Sequence, residues 1–375
     1  MVIGVNTRFL LDGQMEGIGW FTFETVKRIV LAHPEHEFVF FFDRPFSEKF
    51  LFADNVKGVV VGPPARHPIL WYIWFEMTLP KQLKKHGVDL FLSPDGFNSL
   101  SNKVPSVSVI HDIAFEHNSF GVYRTAMWFY KYFTPRYAKK STRVATVSSF
   151  SKEDIQKQYG INGEKIDVVY DGANESFEPI ADEEKIAIRK QFSDGKPYFI
   201  YVGAIHPRKN VLRLLKAFHF YKQKMNNDMQ LLIVGRMAWS NNDLVDYLKE
   251  MPNHADVRFL GSQDQETLNG LIGAAQAMTY VSIFEGFGIP VLEAMYCHVP
   301  SIVSNVTSLP EVIGNAGIMC DPENEKEIGE AMIQMTDPTI HEGYAHHCIS
   351  EKLRFNWDKT AELLWDSMMK ATSQK

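Results

Sequence analysis

The sequence contains little cysteine, no strong excess of either charge and no long apolar run. Its three cysteines, Cys297, Cys320 and Cys348, are odd in number and widely separated, which argues against a disulfide framework and a cysteine-ligated metal. Free thiols of this kind are typical of a reducing cytoplasm. No run of about 18 uncharged apolar residues exists, so we predict no bilayer-spanning segment. The N-terminus also lacks the basic and apolar regions of a signal peptide.

Several catalytic signatures are missing as well. The sequence has no Asp-x-Asp pair, no GxxxxGK(S/T) loop, no HExxH helix and no GxSxG elbow. Their absence gives no support to a carboxylate-held metal, to Walker-type phosphoryl transfer or to serine hydrolysis. The formal net charge of −6, from 39 basic and 45 acidic residues, gives no global footprint for nucleic-acid binding.

Composition and pattern together indicate two α/β domains. The 375 residues are 45% apolar and 22% charged, which suits a globular protein of about two domains. Short apolar runs alternate with helical patterns as far as residue 170, and the alternation restarts at residue 197. This predicts two Rossmann-like, doubly wound parallel sheets with a ligand cleft at the carboxyl ends of their strands. We predict domains over 1–175 and 197–355, joined by an acidic, polar linker over 176–196.

The segment from Glu285 to Glu293 is the sharpest candidate site. Two glycines, Gly286 and Gly288, follow a predicted strand and precede a helix, and such a loop lets backbone amides approach a ligand at the helix N-terminus. One glutamate could then meet a sugar hydroxyl and the other a ribose. The alternative is that the glycines only make a turn and that Glu293 complements its helix dipole.

A basic pair, Arg208-Lys209, lies between a predicted strand end and a predicted helix start, within residues 203–210. Two cations at this position would clamp a diphosphate, whose negative charge increases as it departs as a leaving group. The alternative is a solvated basic pair, which is the usual environment of such a dipeptide.

Two weaker candidates lie in the first half of the chain. Gly17 and Gly19 follow the first predicted strand in a loop and could place amides against a phosphate or a sugar. Thr22, however, stands where a dinucleotide fingerprint needs its third glycine. His111 ends another predicted strand and could hydrogen-bond a sugar or act in acid–base chemistry. An ordinary loop and a structural histidine are the alternatives, and we interpret the other histidines, including His206, as structural.

The segment 124–143 concentrates basic and aromatic side chains, with no acidic residue between Glu116 and Glu153. A basic amphipathic helix of this composition is typical of proteins that contact anionic membrane surfaces. The alternative is that the aromatic residues are core and the bases form a solvated face. The residues concerned are Arg124, Lys131, Arg136, Lys139, Lys140 and Arg143, and Trp128, Phe129, Tyr130, Tyr132, Phe133 and Tyr137.

Together these motifs resemble those of the retaining glycosyltransferases of family 4, which have the GT-B fold. The resemblance implies two Rossmann-like domains facing a central cleft, with 1–175 on the acceptor side and 197–355 binding a nucleotide-sugar. A C-terminal helix over 356–375 would cross back to the first domain. The resemblance covers nearly the whole chain and rests on EGFGIPVLE (285–293), GAIHPRKN (203–210), LLIVG (231–235), VRFLG (257–261), EGIGWF (16–21) and VIHD (109–112).

The resemblance also implies roles for individual residues. Lys209 and Arg208 would neutralise the diphosphate, the more so because Ala204 stands where many members carry a basic residue. Glu293 would hold the ribose hydroxyls, and Glu285 would hold the donor sugar. The implied catalytic residues are His111, Glu285 and Lys209, and the implied donor-binding residues are Gly17, Gly19, Arg208, Lys209, Arg236, Arg258, Leu260, Glu285, Gly286, Phe287, Gly288, Leu292 and Glu293.

The implied reaction transfers a hexose from a GDP- or UDP-linked donor to a glycan or lipid-linked glycan during assembly of surface polysaccharides such as lipopolysaccharide. Mannose on GDP is the donor that the resemblance favours. Transfer would retain the anomeric configuration by a front-face mechanism and need no metal or other cofactor. The enzyme would be cytoplasmic, with peripheral contact to the inner face of the plasma membrane through 124–143. Two other classes stay open: a nucleotide-sugar 2-epimerase on the same fold, and a non-catalytic nucleotide-sugar binder.

Overall fold

A computed structural model describes residues 1–13, 15–117, 121–237 and 242–373. The chain divides into two compact units, of which the first comprises Met1–Asp171 and Trp357–Lys375 and the second Gly172–Asn356. The last two residues of the predicted crossover helix lie outside the described residues. Within the described ranges, no helix combines the length and the apolarity needed to cross a bilayer.

The first unit is built on a parallel sheet with the spatial order β3-β2-β1-β4-β5-β6-β7. The inner strands β4, β5 and β6 are buried at every residue, as expected for a parallel sheet covered by helices on both faces. In the described part of the chain, the strands are β1 (Val2–Asn6), β2 (Glu37–Phe42), β3 (Val56–Val60), β4 (Leu90–Ser93), β5 (Ser106–Val109), β6 (Arg143–Thr146) and β7 (Ile166–Val168).

Helices of residues 1–171 cover this sheet, and aromatic side chains fill the space beneath them. A π-helical turn over Ile73–Thr78 places Trp74 and Phe75 in the same buried cluster as Phe129 and Phe133. The aromatic richness of the first half is therefore largely core packing. The helices are α1 (Gly17–Ala32), α2 (Pro68–Tyr72), α3 (Leu79–Lys85), α4 (Ala114–His117), α5 (Arg124–Lys140) and α6 (Ser149–Tyr159).

The second unit is built on a second parallel sheet, with the order β10-β9-β8-β11-β12-β13. Its described strands are β8 (Tyr198–Val202), β9 (Gln230–Val234), β10 (Val257–Gly261), β11 (Ala277–Tyr280), β12 (Ser301–Ser304) and β13 (Gly317–Cys320). Its described helices are α7 (Asp182–Ser193), α8 (Val211–Met225), α9 (Asn242–Glu250), α10 (Gln265–Gly273), α11 (Ile289–Tyr296), α12 (Leu309–Ile313), α13 (Glu325–Gln334) and α14 (Pro338–Glu351).

The sequence pattern does not predict β13 or the helices α12 to α14. Strand β13 lies at the edge of its sheet, where Met319 is 44% exposed, so the strand lacks the continuous apolar run that marks the inner strands. Both sheets are nevertheless parallel and doubly wound, which confirms the predicted fold class.

The predicted linker, 176–196, contains helix α7, which packs on α10. Ile180 and Ile188 lie against Gly273 and Gly270 of α10, where an added Cβ would come within 2.8 and 2.9 Å of the isoleucines. The two glycines therefore let this segment approach the second unit closely. Helix α7 buries little else of its own surface, which explains why its sequence has the polar composition of a linker.

Helix α15 (Trp357–Ser373) belongs to the first unit, as predicted for the crossover helix. Thr360 Oγ1 donates to the Tyr170 carbonyl oxygen at 2.5 Å, and Ser367 Oγ donates to Asp167 at 2.7 Å. The ring of Trp365 stacks on His33 with centroids 3.7 Å apart. These contacts anchor α15 to the sheet and to α1.

Candidate active site

The predicted segments 203–210 and 285–288 gather where the strand order of the second sheet reverses. Strands β8 and β11 are neighbours in the sheet. The chain continues from β8 to β9 on one side and from β11 to β12 on the other, so the loops that follow β8 and β11 lead away in opposite directions from adjacent strand ends. Ligands of doubly wound sheets bind at such a switch point. The two loops hold the segments 203–210 and 285–288 that the sequence indicates.

The loop after β8 is held close to the loop after β9. Gly203 and Gly235 have φ angles of +147° and +142°, and an added Cβ on Gly235 would lie 2.0 Å from the carbonyl oxygen of Gly203. Only glycine permits this approach. His206 Nδ1 then accepts the Arg208 amide at 3.3 Å and caps the short turn that carries the basic pair. This contact gives His206 a structural role in the turn.

The loop after β11 carries Glu285 and is fixed by hydrogen bonds from the loop after β12. Ser308 Oγ donates to the carbonyl oxygens of Glu285 and Phe287 at 3.0 and 2.9 Å. Gly288 has a φ of +109° and caps α11, and an added Cβ there would lie 2.7 Å from Leu309. The loop thus has little freedom to move Glu285 away from its partners.

Lys209 and Arg208 converge on Glu285 across the switch point. Lys209 Nζ lies 2.7 Å from Glu285 Oε1 and donates to the hydroxyl of Tyr280 at 2.6 Å. Arg208 Nη1 lies 3.4 Å from Glu285 Oε2 and donates to the Phe284 carbonyl oxygen at 2.8 Å. The side chains of Glu285, Lys209 and Arg208 are 6%, 14% and 24% exposed. The basic pair is therefore an ordered, largely desolvated cluster and not a solvated dipeptide.

The charges of this cluster decide the protonation of Glu285. Burial alone would raise the pKa of its carboxyl, but the charges of Lys209 and Arg208 and the hydrogen bond from Lys209 outweigh burial, so the pKa is lowered. Burial raises the pKa of Tyr280 well above its usual value, so Tyr280 stays neutral beside Lys209. Two cations thus converge on the Glu285 carboxylate at the switch point.

Glu293 lies on α11 in a different environment. It is half-buried, and burial raises its pKa to about 7. Leu292, beside it, is fully buried in the core, so its side chain is part of the packing. The structure therefore separates the two glutamates into one ionised, paired carboxylate and one that titrates near neutral pH.

The predicted residues on the other strand ends are placed differently. Arg236 is exposed just beyond β9, where its carbonyl oxygen accepts the Ile205 amide at 2.9 Å. The side chain of Arg258 pairs with Asp194 and donates to the Phe192 carbonyl oxygen at 3.1 Å. The side chain of Arg258 therefore holds α7. The predicted contact of Arg258 and Leu260 with a base would use their backbone.

Gly17 and Gly19 lie in the first turn of α1, although the sequence predicts a loop there. An added Cβ on Gly19 would come within 2.8 Å of the carbonyl oxygen of Phe9, whereas Gly17 has open space around it. The glycine at 19 thus permits close packing of the preceding loop on the helix. The amides of this first turn have no acceptor four residues earlier within the helix.

His111 follows β5 in the first unit and is half-buried. Its Nε2 donates to the carbonyl oxygen of Pro94 at 2.9 Å, and its ring meets the edge of Phe21 with centroids 4.9 Å apart. Burial lowers the pKa of His111, more than the Pro94 hydrogen bond and the nearby Asp112 and Asp95 raise it. His111 is therefore neutral near pH 7.

Sequence reasoning missed an ion pair at the switch point of the first sheet, between β1 and β4. Arg8 Nε pairs with Asp95, and their side chains are 7% and 2% exposed. Arg8 also lies over the rings of Phe9 and Phe97, 4.7 and 4.6 Å from their centroids. The available signal was positional, since both residues follow strands that the sequence predicts.

The segment 124–143 has a buried face and an exposed face. Phe129, Phe133 and the other core-facing residues of α5 are buried, whereas Trp128 and Tyr132 are 62% and 40% exposed among the exposed bases. Tyr72 of α2 is 46% exposed, and its ring centroid lies 6.0 Å from that of Phe133. It therefore extends the exposed aromatic surface of α5. Arg143 is an exception, because it is buried against Asp167 at 2.6 Å. We call Tyr72, Trp128, Tyr132 and the exposed bases of α5 the aromatic–basic patch.

Comparisons with known proteins identify the family. The family model "Glycosyl transferases group 1" matches residues 182–350, and the model "Glycosyltransferase Family 4" matches residues 16–177. The chain is 26% identical over 365 residues to the O-antigen chain mannosyltransferase B of Escherichia coli, covering 92% of this chain and 93% of that one.

A second relative and a solved structure extend the likeness. The O-antigen chain mannosyltransferase RfbU of Salmonella typhimurium is 28% identical over 260 residues, which are 69% of this chain and 68% of that one. The structure of Anabaena Alr3699/HepE in complex with UDP and glucose superposes with a TM-score of 0.71 at 17% identity, over 98% of this chain and 99% of that one. This superposition shows a common fold.

Proposed function

The chain belongs to glycosyltransferase family 4 and has the GT-B fold, and on this basis we propose that it transfers a hexose from a nucleoside-diphosphate sugar to a glycan acceptor. The observation that carries the proposal is the desolvated cluster of Lys209, Arg208 and Glu285 at the switch point of the second sheet. A transferase must stabilise the diphosphate that departs, and this cluster offers two oriented cations for one carboxylate.

Each member of the cluster has a distinct task in this proposal. Arg208 and Lys209 hold the diphosphate and offset the charge that develops on it. Glu285 keeps both cations in place and accepts a hydroxyl of the donor sugar, and the amides of the loop at Phe287 and Gly288 bind the same sugar. Replacing Lys209 by Met should lower kcat by about 100-fold, as loss of one oriented donor to a developing anion does.

The proposal includes retention of anomeric configuration without a metal. In a front-face reaction the leaving phosphate takes the acceptor proton, so no protein side chain has to act as a dedicated base. The two cations supply the charge that a divalent ion supplies elsewhere. Transfer should therefore run at the same rate with excess EDTA, and the product's anomeric configuration should match that of the donor by NMR. A rate that requires added Mg²⁺ would contradict the metal-free part.

The proposed donor sugar is mannose carried on GDP, and the proposed acceptor is a surface glycan or its lipid-linked precursor. The names of the two relatives, both O-antigen chain mannosyltransferases, support the choice of mannose and of a surface glycan. Because a ligand that binds the folded state raises its stability, a thermal-shift screen of GDP, UDP, ADP and their sugars ranks the donors. GDP-mannose should give the largest shift, and incubation with a mannan-type acceptor should release GDP.

The same incubation separates the other two classes. A 2-epimerase would convert the donor without an acceptor, and product analysis would detect the epimer. A non-catalytic binder would show donor binding with neither transfer nor slow hydrolysis. The Glu285→Ala variant removes the carboxylate but retains the charges of Arg208 and Lys209, so it should still bind GDP but lose transfer.

We also propose that the enzyme works in the cytoplasm, with the aromatic–basic patch against the anionic inner face of the plasma membrane. Exposed aromatic rings among bases suit the membrane interface. Each lysine near an anionic surface contributes about 1 kcal/mol, so replacing Lys139 and Lys140 by Gln should weaken vesicle binding by about 30-fold. The matched control replaces Lys249 and Lys326, exposed lysines of the second unit. Equal weak binding by all three proteins would contradict the membrane contact.

A further inference from the structure

The carboxylate of Asp95 is held by four donors in the first unit. Oδ2 accepts Arg8 Nε and the Asn6 amide group at 2.8 Å, and Oδ1 accepts Ser93 Oγ and the Phe97 amide, both at 3.1 Å. Such an arrangement satisfies a buried ionised carboxylate almost completely. It joins the end of β1 to the turn after β4, so it fixes the position of that turn.

The same turn makes the hydrogen bond to His111. The carbonyl oxygen of Pro94, the residue before Asp95, accepts His111 Nε2 at 2.9 Å. Gly96 has a φ of +78°, and a Cβ there would lie 3.4 Å from the carbonyl oxygen of Val109, so the turn packs directly on the end of β5. The Pro94 carbonyl therefore belongs to the turn that the ion pair contacts.

A carbonyl oxygen can only accept, so His111 must carry a proton on Nε2. In a neutral imidazole the other nitrogen, Nδ1, is then an acceptor with a free lone pair. Each histidine tautomer is selected by the partner of one nitrogen, as it is for catalytic and metal-bound histidines.

We propose that Arg8 and Asp95 are positioning residues for His111: they hold the Pro94 carbonyl so that His111 presents Nδ1 as an acceptor to a substrate hydroxyl. The hydroxyl is that of a sugar, and this part rests on the proposed function. A hydroxyl donates to Nδ1, so sugar oxygens that lack a proton are not recognised there.

The charged groups that influence His111 are the carboxylates of Asp112 and Asp95, and Phe21 of α1 packs on its ring. Loss of the Asp95 charge alone would lower the pKa of His111. Loss of the Pro94 contact would also allow the imidazole to exchange tautomers. The two effects are distinguishable, because only the second changes which nitrogen carries the proton at high pH.

The test is long-range ¹H–¹⁵N NMR of the full chain, with His111 assigned through the His111→Gln variant. The wild type should show the Nε2–H tautomer at pH 8. Asp95→Asn, and the double variant Arg8→Met with Asp95→Asn, should show mixed tautomers. The double variant removes both charges of the pair and leaves no buried charge unpaired. It therefore allows the measurement to be made if the single variant does not fold.

The matched control is Asp167→Asn, which breaks the buried pair with Arg143 in the same unit. It should leave the tautomer of His111 unchanged. Unaltered His111 signals in the folded Arg8 and Asp95 variants would overturn the proposal, as would an equal change in the control.

Kinetics add a second readout. The positioning variants should lose about 100-fold in kcat/KM, the cost of a displaced catalytic contact. His111→Asn, whose amide oxygen can occupy the place of Nδ1, should retain more activity than His111→Gln. The reverse order would overturn the assignment to Nδ1. Absence of transfer in the wild type would refute the proposed function instead, while the NMR measurement would still decide the positioning.

Discussion

Lys209 Nζ and Glu285 Oε1 lie 2.7 Å apart, although the two residues are 76 positions apart in the chain. The two side chains are 14% and 6% exposed, so both charges are largely removed from water. A buried ion pair of this kind contributes little net stability, but removing one partner is costly because it leaves the other charge unpaired.

Removing Lys209 alone should therefore destabilise the second unit more than removing both partners. We expect Lys209→Met to cost about 3 kcal/mol, and the double variant with Glu285→Gln to cost clearly less. Urea unfolding of the four proteins gives the double-mutant cycle. Additive losses would contradict a coupled pair. Arg208 remains near Glu285 in the single variant and should keep the loss below that of a fully isolated carboxylate.

The stability of the protein should also respond to Glu293. Its pKa is about 7 in the folded chain and near 4.5 when unfolded, so the folded state favours the protonated form. The contribution of Glu293 to the free energy of unfolding is fully present below the unfolded pKa, where the carboxyl is protonated in both states. This contribution is lost as the pH rises through about 7. Glu293→Gln should remove this loss, which amounts to no more than about 3 kcal/mol at about 1.4 kcal/mol per pKa unit.

The measurement is the unfolding free energy of wild type and Glu293→Gln between pH 4.5 and 8. The difference should grow in favour of the variant as the pH rises. If Glu293 holds the ribose as a carboxylate, GDP affinity of the wild type should rise over the same interval. A wild-type affinity that stays constant across pH 7 would contradict the proposed ribose contact.

The backbone of the site can be tested at Gly235. An alanine Cβ there would lie 2.0 Å from the Gly203 carbonyl oxygen, so the loop with Arg208 and Lys209 would have to move. The control is Gly261→Ala, where φ is +67° but the space is open. Backbone strain alone should cost the control about 1 kcal/mol. Gly235→Ala should cost more and also weaken GDP binding, as calorimetry and thermal unfolding would show; equal effects would contradict the close approach.

The site was predictable from sequence where glycines and charges follow a strand end. Glu285 and Lys209 lie in loops of this kind, and parallel sheets bring consecutive strand ends to one edge. Tyr280, Arg8 and Asp95 were not predictable in the same way. Tyr280 lies in an apolar strand whose sequence resembles that of any buried strand, so nothing marks it as a site residue. Arg8 and Asp95 are 87 positions apart in the chain, and no flanking motif marks either of them.

The fold shows the same division. Inner strands such as β4 and β8 were predicted because burial on both faces gives continuous apolar runs. The sequence predicts a linker at helix α7 because the contacts of this segment use the space left by Gly270 and Gly273 and few apolar residues of its own. When a segment packs against glycines of its neighbour, its own sequence does not show the apolar pattern of a packed helix.

The anchoring of α15 leads to a prediction about acid stability. Asp167 accepts Arg143, Ser367 and Lys370, and these contacts lower its pKa although burial opposes them. A lowered pKa stabilises the folded state above the unfolded pKa of 3.8, and this stability is lost as the pH falls through the folded value.

Asp167→Asn should therefore destabilise the first unit at pH 7 and make its unfolding less sensitive to acid. Ser367→Ala, which keeps both charges, should retain most of the acid sensitivity. Urea unfolding at pH 7 and pH 3, followed by circular dichroism, distinguishes these outcomes. Equal acid sensitivity of wild type and Asp167→Asn would contradict the role of the carboxylate.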